Sequence, residues 1–252
     1  MTSLITPADT TASPDLGWDE PAGIPPRGTI YLLPGRGETP RTYGRLGRRL
    51  AADAYRVRVL DVDPADPGGT GTRLREALAD PAAVAPRVLL GSDTGALAAA
   101  ALAGEVGPGG AGVDAVILAG PGAGVAPGGW EDELAARTSC PAHRRVLAED
   151  PGFDRGALAR RPEATAWSGR VPSADVPTLV LQGDADPVAP AKEVVATYEG
   201  RPRTRVVLVR DGHHDVLNDV SHRSVAATIV LFLENLRVDD DRSPIVRTPV
   251  DR

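Results

Sequence analysis

Sulfur, lysine and excess positive charge are scarce in this chain, and each shortage removes a class of explanation. A single cysteine, Cys140, stands among 252 residues, so no internal disulfide can form. That usage suits a reducing compartment, and a cytoplasmic protein is expected. Lys192 is the sole lysine, and the formal net charge of −6 provides no basic field. Nucleic acid is therefore not an expected partner. No apolar run approaches the roughly 20 residues that span a bilayer, and Met1 to Pro14 is polar without a signal-peptide core. No membrane partner is expected. Cys140-Pro141-Ala142-His143 brings two ligand types together with too few neighbours for a metal site. Gly35-Arg36-Gly37 lacks the Gly-Lys-Ser/Thr ending of a phosphate loop. The expectation is no metal, no cofactor and a small-molecule substrate.

The composition is that of a globular protein, with 42% hydrophobic and 25% charged residues. Short apolar runs alternate with helical patterns. Strands are expected at Thr29–Leu33, Arg56–Val62, Val88–Leu90, Val113–Leu118, Thr178–Leu181 and Arg205–Val209. Helices are expected at Pro40–Ala54, Arg73–Ala79, Ala96–Val106, Ala191–Tyr198 and about Val220–Leu236. This rhythm predicts an α/β fold, a mostly parallel sheet covered on both faces. Pro121 to Pro177 breaks it, with helical fragments at Trp130–Arg137, Ala142–Glu149 and Arg155–Arg160. An insertion of that length in a compact domain reads as a functional lid. The expected organisation is a core of residues 16–120 and 178–238 and a lid of residues 121–177. Disordered tails are expected at residues 1–15 and 239–252, rich in Thr, Pro, Asp and Arg.

Val88-Leu89-Leu90-Gly91-Ser92-Asp93-Thr94-Gly95-Ala96 carries the most chemistry. An apolar strand enters Gly-x-x-x-Gly and an alanine-rich helix follows, the form of a nucleophile elbow. The middle residue of the five is Asp93, where a serine would be usual. Ser92 stands one residue early and is expected to point back into the packed side of the turn.

The order of motifs resembles the α/β-hydrolase superfamily over about Trp18 to Arg237, and within it the lysophospholipase and monoacylglycerol-lipase branch. Leu32-Leu33-Pro34-Gly35-Arg36-Gly37-Glu38 resembles that branch's oxyanion loop, with Pro34 in place of the usual histidine. Thr178 to Val188 resembles its acid segment, which implies Asp186 as the acid, with Asp184 as a register competitor. His214-Asp215-Val216-Leu217-Asn218-Asp219 resembles its histidine segment, which implies His214 as the base, with His213 adjacent. The resemblance implies an α/β-hydrolase fold with an inserted helical lid, and an oxyanion hole from the amides of Arg36 and Thr94. Arg36 is open to two readings, a cation over the site or a solvated loop residue.

An aspartate at the elbow changes the expected reaction. A carboxylate is already ionised at neutral pH and can attack carbon directly, leaving an ester for His214 to hydrolyse through water. Haloalkane dehalogenase, haloacid and epoxide hydrolase relatives of the fold work this way. The chain departs from them: Thr94 stands where dehalogenases usually carry tryptophan, and no tyrosine lies between Tyr55 and Tyr198. Trp130, Cys140 and Trp167 are candidates for the substrate pocket, with plain packing as the other reading. For Cys140 and His143 that plain reading is a buried thiol and a surface histidine. Non-covalent acid-base chemistry (a cyclase, lyase or isomerase using Asp93 and His214), ester hydrolysis by Ser92, and a ligand-binding relic of the fold stay open.

Overall fold

In the computed structural model, described over residues 16–63, 65–106, 112–162, 167, 169–172, 175–238 and 245–246, alternation along each strand builds two cores. Side chains of successive strand residues point to opposite faces. In β2 (Gly28–Leu33), Ile30 and Leu32 enter one apolar cluster, while Tyr31 and Leu33 enter the other. The other strands are β1 (Leu16–Trp18), β3 (Tyr55–Val59), β4 (Arg87–Ser92), β5 (Ala115–Ala119), β6 (Thr178–Gly183) and β7 (Thr204–Val209). They form one seven-stranded sheet in the order β1-β3-β2-β4-β5-β6-β7. Only β1 is antiparallel, paired with β3 at the edge.

The helices are α1 (Gly44–Ala52), α2 (Pro67–Leu78), α3 (Asp93–Val106), α4 (Trp130–Arg137), α5 (Pro141–Glu149), α6 (Ala191–Tyr198) and α7 (His222–Arg237). One face of the sheet is covered by α1 and α7 through Leu46, Leu50, Ile229 and Leu233. The other is covered by α2, α3 and α6 through Leu74, Leu102, Val194 and Tyr198. Ala96 and Ala98 to Ala101 are buried, so α3 lies close to the sheet. Each large aliphatic side chain buried this way contributes about 1.5–3 kcal/mol.

Sheet order fixes where a site can lie. The chain leaves β2 for β3 on one side, whereas β4 sits on the other side and leads to β5. Connections diverge between β2 and β4, and open parallel sheets form their ligand crevice at such a switch point. The loop after β2 and the turn after β4 therefore face each other at the carboxyl edge.

Several boundaries differ from the sequence expectation. The helix expected at Arg73 starts at Pro67, where Asp66 caps it by accepting from the Gly69 amide at 3.0 Å. Pro40–Tyr43 forms a separate 3-10 turn ahead of α1. The third strand ends at Val59 rather than Val62, and Arg155–Arg160 reduces to a 3-10 turn at Ala157–Ala159. The tails expected to be disordered fall outside the described residues, apart from Ile245 and Val246.

Candidate active site

Close backbone contact locks the turn after β4 against the loop after β2. A β-carbon on Gly95 would sit 2.3 Å from the Pro34 carbonyl oxygen, and one on Gly35 would sit 2.8 Å from the Asp93 β-carbon. Asp93 occupies the left-handed region at φ 51°, a position that costs an ordinary residue of the order of 1–3 kcal/mol. It also opens α3. Its neighbour's amide, Thr94 N–H, is among the first four of that helix, which have no intrahelical acceptor. Ser92 turns the other way and is buried against the Tyr43 hydroxyl.

Asp93, His214 and Asp186 form a continuous relay. His214 Nε2 lies 3.1 Å from Asp93 Oδ1, and His214 Nδ1 lies 2.8 Å from Asp186 Oδ2. Asp186 is fixed in turn by the amides of Val188 and Ala189, at 2.8 and 3.0 Å, and by Gln182 Nε2 at 2.9 Å. Burial pushes the His214 imidazole towards neutrality, but Asp186 and Asp93 outweigh it and raise its pKa to about 10. The ring is an imidazolium between two carboxylates at neutral pH. The competitors go elsewhere: His213 Nδ1 pairs with Asp219 at 3.1 Å, and Asp184 accepts from the Asp211 amide at 2.7 Å.

Arg36 adds a fourth member. Its backbone N–H and Nε donate to Asp93 Oδ2 at 2.9 and 2.7 Å, and its Nη2 donates to Oδ1 at 2.7 Å. Its Nη1 reaches the carbonyls of Gly124 at 2.8 Å and Arg160 at 3.2 Å, both between β5 and β6. Burial alone would raise the Asp93 pKa; Arg36 and His214 reverse that and hold it well below the usual carboxylate range. Of the two sequence readings of Arg36, the geometry is that of a cation over the site.

A cavity of about 550 Å³ adjoins this pair, lined among others by Arg36, Thr94, Leu97, Arg160, Arg161 and Trp167. Asp93 and His214 do not line it, whereas Arg36, whose guanidinium holds Asp93, does. Thr94 is buried, and its hydroxyl has no hydrogen-bond partner among the described residues. No group of three potential metal ligands occurs among the described residues.

Two pocket candidates lie elsewhere. Trp130 packs on Phe153, with ring centroids 5.6 Å apart, and lines no part of this cavity. Cys140 precedes α5 as its N-cap, buried beside Arg45 Nη1 at 3.6 Å. Arg137 ends α4 while His143 lies in α5, with Cys140 between the two helices. His143 is buried rather than on the surface, with Nε2 at 2.9 Å from Asp215 Oδ2.

Sequence reasoning missed a second buried cluster. Arg137 is fully buried; its Nε and Nη2 bond Glu133 Oε1 at 3.1 and 3.0 Å, and Nη1 lies 3.3 Å from Asp215. Its Nη2 also donates to the Arg36 carbonyl at 2.7 Å. Glu38 lies nearby, with Oε2 accepting from the Gly35 amide at 2.7 Å and from the Tyr43 hydroxyl. Burial and Asp215 raise the Glu38 pKa to about 6, although Arg137 opposes them. Glu133 and Arg137, four apart with the acid first, were the available signal for a helix-surface pair. Their burial was not readable.

The family described as TAP-like protein matches residues 157–244, which include the acid and histidine segments. No curated protein matches the chain. Among solved structures, a soluble variant of monoglyceride lipase from Saccharomyces cerevisiae is similar at 15% identity and a TM-score of 0.67, covering 88% of this chain and 91% of its own. The monoacylglycerol lipase of Paleococcus ferrophilus is similar at 16% identity and a TM-score of 0.65, covering 90% and 98%. A lipase-esterase related protein from Clostridium acetobutylicum follows at 12% identity and a TM-score of 0.61, covering 86% and 98%. At such identities the likeness is one of architecture, and with the sheet order and the elbow it shows that this chain has the α/β-hydrolase fold.

Proposed function

We propose that the chain is a hydrolase of small organic molecules in which Asp93 is the nucleophile and His214, oriented by Asp186, activates water. The observation that carries this reading is the unbroken relay from Asp93 Oδ1 through His214 to Asp186, at 3.1 and 2.8 Å. The lipase and esterase names of the structural neighbours support hydrolysis in general.

In the first step Asp93 Oδ1 attacks a carbon bearing a halide or an epoxide oxygen. The new C–O bond forms as the leaving group departs with the electron pair. The His214 imidazolium donates its proton to an alkoxide leaving group where there is one. Esterification removes the negative charge of Asp93, one of the two carboxylates that hold the His214 proton. The imidazole is then free, after losing its proton to the leaving group or to solvent, to take one from water. Hydroxide adds to the ester carbonyl, and the oxyanion forms beside the Arg36 amide, which already bonds Oδ2, and the Thr94 amide. The acyl–oxygen bond breaks and the alcohol takes the proton from His214; the remaining proton of the added hydroxide then passes from the Asp93 carboxyl to His214 Nε2, which restores the carboxylate and the imidazolium. We assign the 121–177 insertion the role of lid, because Gly124 and Arg160 tie it to Arg36.

A second reading rests on one observation: each Asp93 oxygen already accepts two hydrogen bonds. A carboxylate so occupied suits proton transfer without attack, as in a lyase or isomerase. Intact-mass analysis of His214→Ala exposed to haloacids, haloalkanes, epoxides and activated esters separates the two. The expected result is an adduct mapped to Asp93, because attack proceeds and hydrolysis stalls. An adduct on Ser92, or wild-type turnover of a probe that leaves His214→Ala unlabelled, overturns the nucleophile assignment.

A further inference from the structure

A nucleophilic or basic carboxylate has to offer an oxygen to its substrate, and Asp93 offers none while Arg36 is in place. Nη2 of Arg36 occupies Oδ1 at 2.7 Å, the oxygen that also faces His214. The Arg36 side chain is only 10% exposed, and Arg36 is among the residues that line the cavity. A guanidinium presents its donors in a planar fork matched to a carboxylate, which is how Arg36 holds Asp93. A second polar group lacks a partner beside it: Thr94 lines the same cavity, and its buried hydroxyl makes no hydrogen bond among the described residues. This hydroxyl and the first amides of the 14-residue α3 both favour a negative group.

Resting on the reading of Asp93 as the reacting group, we propose that the substrate is a small carboxylate-bearing molecule whose carboxylate docks on the Arg36 guanidinium and the Thr94 hydroxyl, drawing Nη2 off Asp93 Oδ1. The exchange is of one carboxylate for another, so the guanidinium stays paired throughout. A neutral substrate has no such exchange to offer; taking Nη2 from Oδ1 leaves a buried donor without an acceptor of equal charge. Arg160 and Arg161 line the same cavity beside Glu38, Asp63 and Asp154, with Asp154 paired to Arg160, so inorganic phosphate is a necessary control for a single carboxylate. Arg36 thus acts as a specificity residue, and the correct substrate uncovers the oxygen that attacks it.

The test is binding to the full chain by calorimetry with butyrate, butyramide and inorganic phosphate as probes, together with proton NMR of the His214 ring. Butyrate is expected to bind at least about tenfold more tightly than butyramide and to shift the His214 Nε2–H resonance. Arg36→Lys keeps the charge without the fork, and Thr94→Val keeps the shape without the hydroxyl. Each is expected to weaken butyrate by about tenfold or less and to leave butyramide unchanged. Equal affinity for butyrate and butyramide, no binding of either, tighter binding of phosphate, or binding that leaves the His214 resonance in place overturns the proposal. The wild-type arms stand even if a variant fails to fold. Binding needs no turnover, so failure of the mass-adduct experiment overturns the nucleophile while carboxylate binding stands. Equal labelling of Asp93 by neutral haloalkanes and haloacids overturns the specificity alone.

Discussion

Two chains of buried charge meet at consecutive residues, His214 and Asp215, and they sit in different surroundings. One runs Arg36, Asp93, His214, Asp186; the other runs Glu133, Arg137, Asp215, His143. The first alternates in sign, as does the second from Glu133 to Asp215, and both are nearly sealed from water. The first is built from loops at the carboxyl edge of parallel strands, includes a residue at φ 51°, and touches a cavity through Arg36. The second joins two helices of the insertion to the segment carrying His214, which is also pinned by its own amide to the Ala136 carbonyl at 3.2 Å. Alternating charge alone therefore does not mark reactivity. Position at the switch point and contact with a cavity distinguish the chain to which we assign the reaction from the one to which we assign a holding role.

The comparison breaks most sharply at Asp93. Asp93→Asn is expected to cut turnover by about 10⁴-fold, near 5 kcal/mol, while the protein stays folded. Steady-state assay beside a melting curve checks both halves. Next in size is Arg137→Met, which leaves Glu133 and Asp215 buried without their cation. Loss of about 3–5 kcal/mol of stability is expected, or roughly 10 °C in the calorimetric melting temperature. An unchanged melting temperature would refute the holding role.

A smaller effect separates the chains by pH. Folded His214 keeps its proton up to about pH 10, against an ordinary value of 6.5. Between these values the folded state holds a proton that the unfolded state has released. The associated stability is complete below about 6.5 and is lost as pH rises through about 10. Denaturant titrations across that window should show a falling unfolding free energy, and His214→Gln should flatten it. The smallest expected effect is at Glu38, whose pKa is raised from 4.5 to about 6. Its contribution is complete below 4.5 and lost as pH rises through about 6. Glu38→Gln should abolish that slope and change stability at neutral pH by no more than about 1 kcal/mol.

Much of the first chain was legible because its residues sit in local motifs. The glycine pair around Asp93 and the apolar strand before Asp186 each announce a loop at a strand end. Register was settled only by contacts across the fold: His214 meets Asp186 while His213 meets Asp219. Edge strand β1 was not legible, since Leu16–Trp18 is too short for alternation to register. The start of α2 was hidden by Gly68 and Gly69, poor helix formers that Asp66 and Pro67 override from the cap. His143 was misread, and Trp130 stayed open between pocket and packing, for a common reason: their partners, Asp215 and Phe153, come from other segments of the fold. Burial of a polar side chain is a tertiary fact, and no local pattern encodes it.

The steric contact between the two loops involves nothing beyond the β-carbon of residue 93: Gly35 meets that carbon, and Gly95 meets the Pro34 carbonyl. These steric contacts make no distinction between an aspartate and a serine at the turn, and the backbone contact that depends on the carboxylate is the Arg36 amide on Oδ2 at 2.9 Å. Such a scaffold can exchange its reactive atom without redesigning its frame, and Asp93→Ser would leave the loops where they are while releasing Arg36 from its carboxylate. Under the proposed function, reaction class is a property of one side chain and its cation, mounted on a support whose steric contacts would serve either.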